Sequence, residues 1–124
     1  MGAVSSALGI NKLIRDEVYL AMKILAIQGS PRPKVSNTEV LLQEFLKGTR
    51  SQGANTETVY LKEKKINACV GCFSCWIKTP GVCIFEDDMP ELLEKVRACD
   101  ILVYATPLYN YNMTSLLKTF QERL

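Results

Sequence analysis

The stretch Met22-Lys23-Ile24-Leu25-Ala26-Ile27-Gln28-Gly29-Ser30-Pro31, with Ser36-Asn37-Thr38-Glu39 a few residues on, decides the fold. Residues 24–27 are a short apolar run closed by Gly29-Ser30-Pro31. That is the pattern of a strand buried on both faces of a parallel sheet. Ser36 and Glu39 stand at the S-x-x-E spacing of a capping box, and Leu41, Leu42, Phe45, Leu46 and Thr49 line one face of the helix it opens. Gly53 is placed to stop that helix. A strand running through a short polar loop into a helix start is the first half of a βαβ unit.

Further along, residues 56–61 (Thr-Glu-Thr-Val-Tyr-Leu) read as a second strand. A cysteine-rich segment follows, with Pro80-Gly81 as a turn. Asp88 and Glu91 make a second capping-box spacing, Pro90 is tolerated in a first turn, and Met89, Leu92, Leu93 and Val96 fall at i, i+3, i+4, i+7. Residues 101–105 are a third apolar strand ended by Thr106-Pro107, and Met113, Leu116, Leu117, Phe120 and Leu124 share one helical stripe. The order β-α-β-(cysteine segment)-α-β-α predicts an α/β fold with an open parallel sheet. Such sheets take ligands outside the carboxyl ends of their strands. The two relevant loops are 29–38 and 106–114. Residues 1–21 read as an N-terminal extension to a domain at 22–124. Their opening MGAVSS fits the myristoylation pattern at Gly2, with nothing basic beside it.

Composition narrows the chemistry. The 124 residues are 48% apolar and carry 15 Lys+Arg against 13 Asp+Glu, a formal charge of +2. One globular domain is expected, with no electrostatic case for nucleic acid. No run approaches the ~18 apolar residues of a membrane span. The absence of His removes Ser-His-Asp and Cys-His catalysis and every imidazole-dependent zinc site. No secretory signal is visible in residues 1–21, which carry Lys12, Arg15, Asp16 and Glu17. A cytoplasmic, reducing location is therefore expected.

The loop 29–38 runs from a strand end to a helix N-terminus, where free N–H groups and the helix dipole favour an anion. Ser30, Ser36, Asn37 and Thr38 add neutral donors, and Arg32 or Lys34 can add charge. The plain alternative is an ordinary turn with a cap. In the loop after the third strand, Pro107, Leu108, Tyr109, Asn110 and Tyr111 offer aromatic faces and edge-bonding amides for a flat ring. They could equally just cover the sheet end. Cys69, Cys72, Cys75 and Cys83 lie within 15 residues at x2, x2, x7 spacing. In a reducing compartment this points to metal or redox chemistry rather than a disulfide scaffold. An Fe–S cluster, a structural zinc and a Cys72/Cys75 thiol pair all remain open. Cys99, at the entry to the third strand, reads as a small core residue.

Together, GSPR…SNT after the first strand and TPLYNYNMTSLLKTFQER after the third resemble the flavodoxin-like NAD(P)H-dependent FMN reductase superfamily. The resemblance implies that Ser30, Arg32, Ser36, Asn37 and Thr38 hold the FMN phosphate and that residues 107–111 contact the isoalloxazine. It places Lys118 and Arg123 where the family has a Lys and a later Arg. CVGCFSCWIKTPGVCIFEDDM resembles the motif of the iron–sulfur flavoprotein branch, which implies a [4Fe–4S] cluster on Cys69, Cys72, Cys75 and Cys83. The implied activity is FMN-dependent oxidoreduction or electron transfer, with a ferredoxin-like protein or NAD(P)H as electron donor and no catalytic side chain. The alternatives are an NAD(P)H-dependent FMN or quinone reductase without a cluster, and a non-catalytic four-cysteine metal-binding remnant. The family's sheet has five strands in the order 2-1-3-4-5, of which this chain supplies three. An incomplete domain that self-associates as a homo-oligomer is expected.

Overall fold

The computed structural model describes residues 22–124. The extension at 1–21 and its Gly2 pattern lie outside the described residues. The elements are β1 (Lys23–Gln28), α1 (Asn37–Ser51), β2 (Asn55–Tyr60), a 3-10 turn (Leu61–Glu63), α2 (Ser74–Ile77), α3 (Met89–Ala98), β3 (Ile101–Ala105) and α4 (Ser115–Gln121). The sheet order is β2-β1-β3 with both pairings parallel, Lys23 facing Asn55 and Ile24 facing Ile101. The parallel sheet is the one the α/β pattern predicts, and its order is the 2-1-3 part of the flavodoxin-like sheet that the resemblance implies.

The central strand explains the layering. Successive side chains of a strand point to opposite faces. Leu25 and Ile27 pack with Val59, Leu61, Met89, Leu92, Leu117 and Phe120. Ile24 and Ala26 pack on the other face with Leu42 and Leu46 of α1. All four β1 residues are at most 4% exposed, so each face buries apolar area. Truncating Leu46 or Leu92 to Ala would cost about 2–5 kcal/mol.

Local signals act as read at α1. Ser36 is extended and its side chain accepts from the Glu39 N–H at 3.2 Å. The Gly53 N–H donates to Arg50 O at 2.9 Å, with Gly53 at φ +91°, a conformation that costs glycine nothing. The box is only half made, however. The Glu39 carboxylate turns instead to Gln28, Gln43 and the Tyr60 hydroxyl.

Two expectations change. Asp88 does not cap α3. Its backbone is helical (φ −75°, ψ −4°), and its carboxylate accepts from the Lys65 N–H at 2.7 Å. Asp87 serves the helix start instead, accepting from the Met89 N–H at 3.1 Å. The apolar stripe of α1 is only partly covered, with Leu42 and Leu46 buried but Leu41 73% and Phe45 50% exposed. A sheet three strands wide reaches only one side of that stripe. In keeping with the expected incomplete sheet, β3 pairs only with β1 among the described residues, leaving Ile101 and Tyr104 about two-fifths exposed.

Candidate functional site

The loop 29–38 is built around one buried amide. Gln28, the last residue of β1, is fully buried. Its Oε1 accepts from the Ser30 N–H at 2.7 Å, and its Nε2 donates to Pro33 O at 3.1 Å and to Glu39 Oε2 at 3.3 Å. Ser30 is buried, and its Oγ accepts from the Arg32 N–H at 3.2 Å. Arg32 is exposed and makes no ion pair among the described residues, whereas Lys34 reaches Glu63 at 3.5 Å. Asn37 and Thr38 open α1, where N–H groups have no acceptor within the helix. No other backbone acceptor serves them among the described residues. Ser36 Oγ is engaged as the cap, but its proton remains free to donate.

The loop 106–114 stands directly beside it. The Gly29 N–H donates to Ala105 O at 2.8 Å, and the Thr114 hydroxyl donates to Gly29 O at 2.6 Å. Thr114 also caps α4, accepting from the Leu117 N–H at 3.3 Å. The approach is close enough that a Cβ on Gly29 would lie 2.9 Å from the Leu117 Cβ, so only glycine fits. Tyr109 and Asn112 exchange backbone bonds of 2.8 and 3.1 Å around Asn110 (φ +49°) and Tyr111 (φ +62°). Two positive φ values make this a type I′ turn, a conformation uncommon for tyrosine. It holds Tyr111 out in solvent at 99% exposure, above a half-exposed Tyr109 and an exposed Leu108. Pro107 is half-buried at the base of the loop.

Cys69, Cys72, Cys75 and Cys83 are free and line one cavity of about 730 Å³ together with Phe73, Trp76, Phe85 and Leu93. Phe73 in the left-handed region (φ +57°) turns the chain between Cys72 and the short helix α2. The Cys72 thiol is held below its ordinary pKa by the Ser74 backbone N–H, with the Ser74 hydroxyl and Lys78 acting in the same direction. Four thiols on one loop are the donor set an Fe–S cluster takes, so the chain fits that group in kind. Among the described residues the sulfurs stand apart, with no three metal-ligating side chains converging on one point. Cys99 lies elsewhere, half-buried at the end of α3 with its Sγ donating to Val96 O at 3.2 Å.

The base of the cysteine loop is clamped. Asp87 accepts from the Asn67 N–H at 2.9 Å and from Arg123 at 2.9 and 3.3 Å, and Arg123 also donates to Asn67 O at 2.7 Å. Both side chains of this ion pair are inaccessible, at 3% and 0% exposure, and the guanidinium lies 5.3 Å from the Phe85 ring centre. Burial works against the charged Asp87. The bonds from Arg123, Asn67 and Met89 outweigh it and pull the carboxyl down to about 2. Thus the helix that follows one loop fastens the base of the other. Arg123 matched the family pattern in sequence, but its Asp87 partner did not show there. The Thr-x-x-Leu start at Thr114 was a usable capping signal. Gln28 was signalled only by a polar residue closing an apolar run.

Residues 22–124 match the family described as NADPH-dependent FMN reductase. The chain belongs to this family. It is 41% identical to an iron-sulfur flavoprotein of Archaeoglobus fulgidus over 103 residues, covering 83% of this chain and 46% of that protein. An iron-sulfur flavoprotein of Methanocaldococcus jannaschii is 36% identical over 82% of this chain and 51% of its own length. Among solved structures, RosB with a bound 8-demethyl-8-formylriboflavin-5'-phosphate intermediate superposes with a TM-score of 0.68 at 30% identity, covering 82% of this chain and 41% of that one. The chain thus spans about half the length of the curated relatives it matches. No helix among the described residues is long and apolar enough to cross a membrane.

Proposed function

We propose that this chain forms the FMN-phosphate loop, one isoalloxazine-facing loop and a four-thiolate [4Fe–4S] site of a flavin-dependent electron-transfer oxidoreductase. The observation that carries the reading is the Thr114–Gly29 bond, which locks loops 29–38 and 106–114 side by side at the carboxyl ends of adjacent parallel strands. That is where an open α/β sheet takes its ligand.

The open N–H groups of Asn37 and Thr38, the Ser36 hydroxyl and the start of α1 would bind the phosphate dianion, with Arg32 adding positive charge. Residues 107–111 would flank the ring, Tyr109 by stacking and Asn110 by hydrogen bonding at its edge. Cys69, Cys72, Cys75 and Cys83 would ligate the cluster, drawing in around the cavity they already line. FMN, when bound, supplies two-electron chemistry that can be released one electron at a time, and the cluster supplies one-electron transfer. The side chains bind and orient, and none is assigned a proton-transfer step. A ferredoxin-like protein or NAD(P)H is the proposed electron donor, and the β3 edge, which has no partner among the described residues, the proposed self-association surface.

A second reading, a cluster-free NAD(P)H-dependent FMN reductase with redox thiols, is favoured by the separated sulfurs and the lowered Cys72 thiol. The absorption spectrum of anaerobically purified protein separates the two. Flavin bands with a broad iron–sulfur shoulder, plus iron and acid-labile sulfide, support the first. Flavin bands alone support the second, and a colourless zinc protein contradicts both.

A further inference from the structure

We infer that Gln28 is the positioning residue that gives the site its preference for a phosphorylated flavin; the inference rests on the phosphate placement proposed above. A fully buried glutamine at the end of a central strand is costly unless its amide is satisfied. Here the amide is satisfied almost entirely by the loop it precedes. Its oxygen takes the Ser30 N–H, and its nitrogen gives to Pro33 O and Glu39 Oε2. The three partners are the start of the loop, its middle and the first turn of α1. One side chain therefore sets the curvature of the chain from the strand to the helix start.

The same bonds decide which donors remain for a ligand. Ser30 N–H is consumed by Gln28 and Arg32 N–H by the Ser30 hydroxyl. The loop N–H groups left without an acceptor among the described residues are those of Lys34 and Ser36 and, at the helix start, Asn37 and Thr38. Glu39, next along the helix, would repel a phosphate were its charge turned toward it. It is held away by three donors: Gln28 Nε2, Gln43 Nε2 at 2.8 Å and the Tyr60 hydroxyl at 2.9 Å. Burial, and next the bond to Glu39, raise the Tyr60 pKa, so the phenol remains a donor. Gln28 thus shapes the anion pocket and helps aim the nearest carboxylate away from it, touching neither phosphate nor ring.

The test compares FMN and riboflavin binding to the 124-residue chain and to Gln28→Leu by fluorescence titration. Wild type should prefer FMN. In Gln28→Leu the FMN dissociation constant should rise tenfold or more while that of riboflavin changes less than threefold. A wild-type preference that survives unchanged in Gln28→Leu, or an equal loss for both ligands, overturns the positioning role alone. No preference in wild type overturns the phosphate placement and this inference with it. Should Gln28→Leu fail to fold, amide hydrogen exchange on wild type decides. Ser30 should be protected like β1, with Asn37 and Thr38 open until FMN, but not riboflavin, is added. Fast exchange at Ser30 would overturn the clamp.

Discussion

Removing the Arg123 guanidinium should reveal how the cysteine loop is held. The Asp87 carboxylate, 0% exposed beside Arg123, loses both charged bonds in Arg123→Met and keeps those from Asn67 and Met89. Breaking one side of such a pair costs about 3–5 kcal/mol, because the remaining charge is uncompensated. Replacing both, as Asp87→Asn with Arg123→Met, should cost clearly less. Acid provides an independent measure. The Asp87 carboxyl lies at about 2 in the folded chain against an ordinary 3.8. A depressed pKa gives stability that is fully present above about pH 4, falls as the pH drops through that window, and is gone below about pH 2. At about 1.4 kcal/mol per unit, the contribution is roughly 2.5 kcal/mol. Urea unfolding followed by circular dichroism between pH 6 and pH 2 reads both effects. The acid loss should shrink by about that amount in Asp87→Asn. An Arg123→Met variant less than about 1 kcal/mol weaker at pH 7, or an unchanged acid limb in Asp87→Asn, would refute the reasoning.

Three more outcomes are expected. Cys72→Ala should lose iron and sulfide while Cys99→Ala keeps both, measured by colorimetric assay of anaerobically prepared protein; loss in the Cys99 variant alone would overturn the ligand set. Thr114→Val removes a helix cap and the bond to Gly29, and should cost about 1–3 kcal/mol in urea unfolding, with Thr114→Ser retaining most of it. The β3 edge, without a partner among the described residues, should make the chain self-associate with concentration in size-exclusion chromatography, and Ile101→Lys should shift it toward monomer; a wild type that is monomeric throughout would count against that surface.

The strands were legible because each is a local apolar or β-branched run. The 101–105 strand has the bounds read from sequence, and the other two shift by about one residue. Local signals also located the start and stop of α1. What could not be read is the choice between competing local and distant partners. Asp88 fits a capping box by spacing, yet the backbone N–H of Lys65 claims its carboxylate. Glu39 likewise serves Tyr60, 21 positions away, rather than its own cap. The pairing of Arg123 with Asp87 and of Thr114 with Gly29 spans 36 and 85 positions, and no periodicity carries such information. The four cysteines were plain in sequence as a donor set, but their spacing says nothing of how far apart the sulfurs stand before a ligand gathers them.

The central claim is that a flavin phosphate sits at the start of α1. It is tested most directly by titrating FMN and riboflavin into wild type and into the Ser36→Ala, Asn37→Ala double variant. The account predicts that the double variant loses FMN affinity clearly more than riboflavin affinity and so narrows the gap between the two ligands, the backbone N–H groups and Arg32 holding what remains. Equal losses for both ligands, or an FMN affinity that does not change, would contradict it.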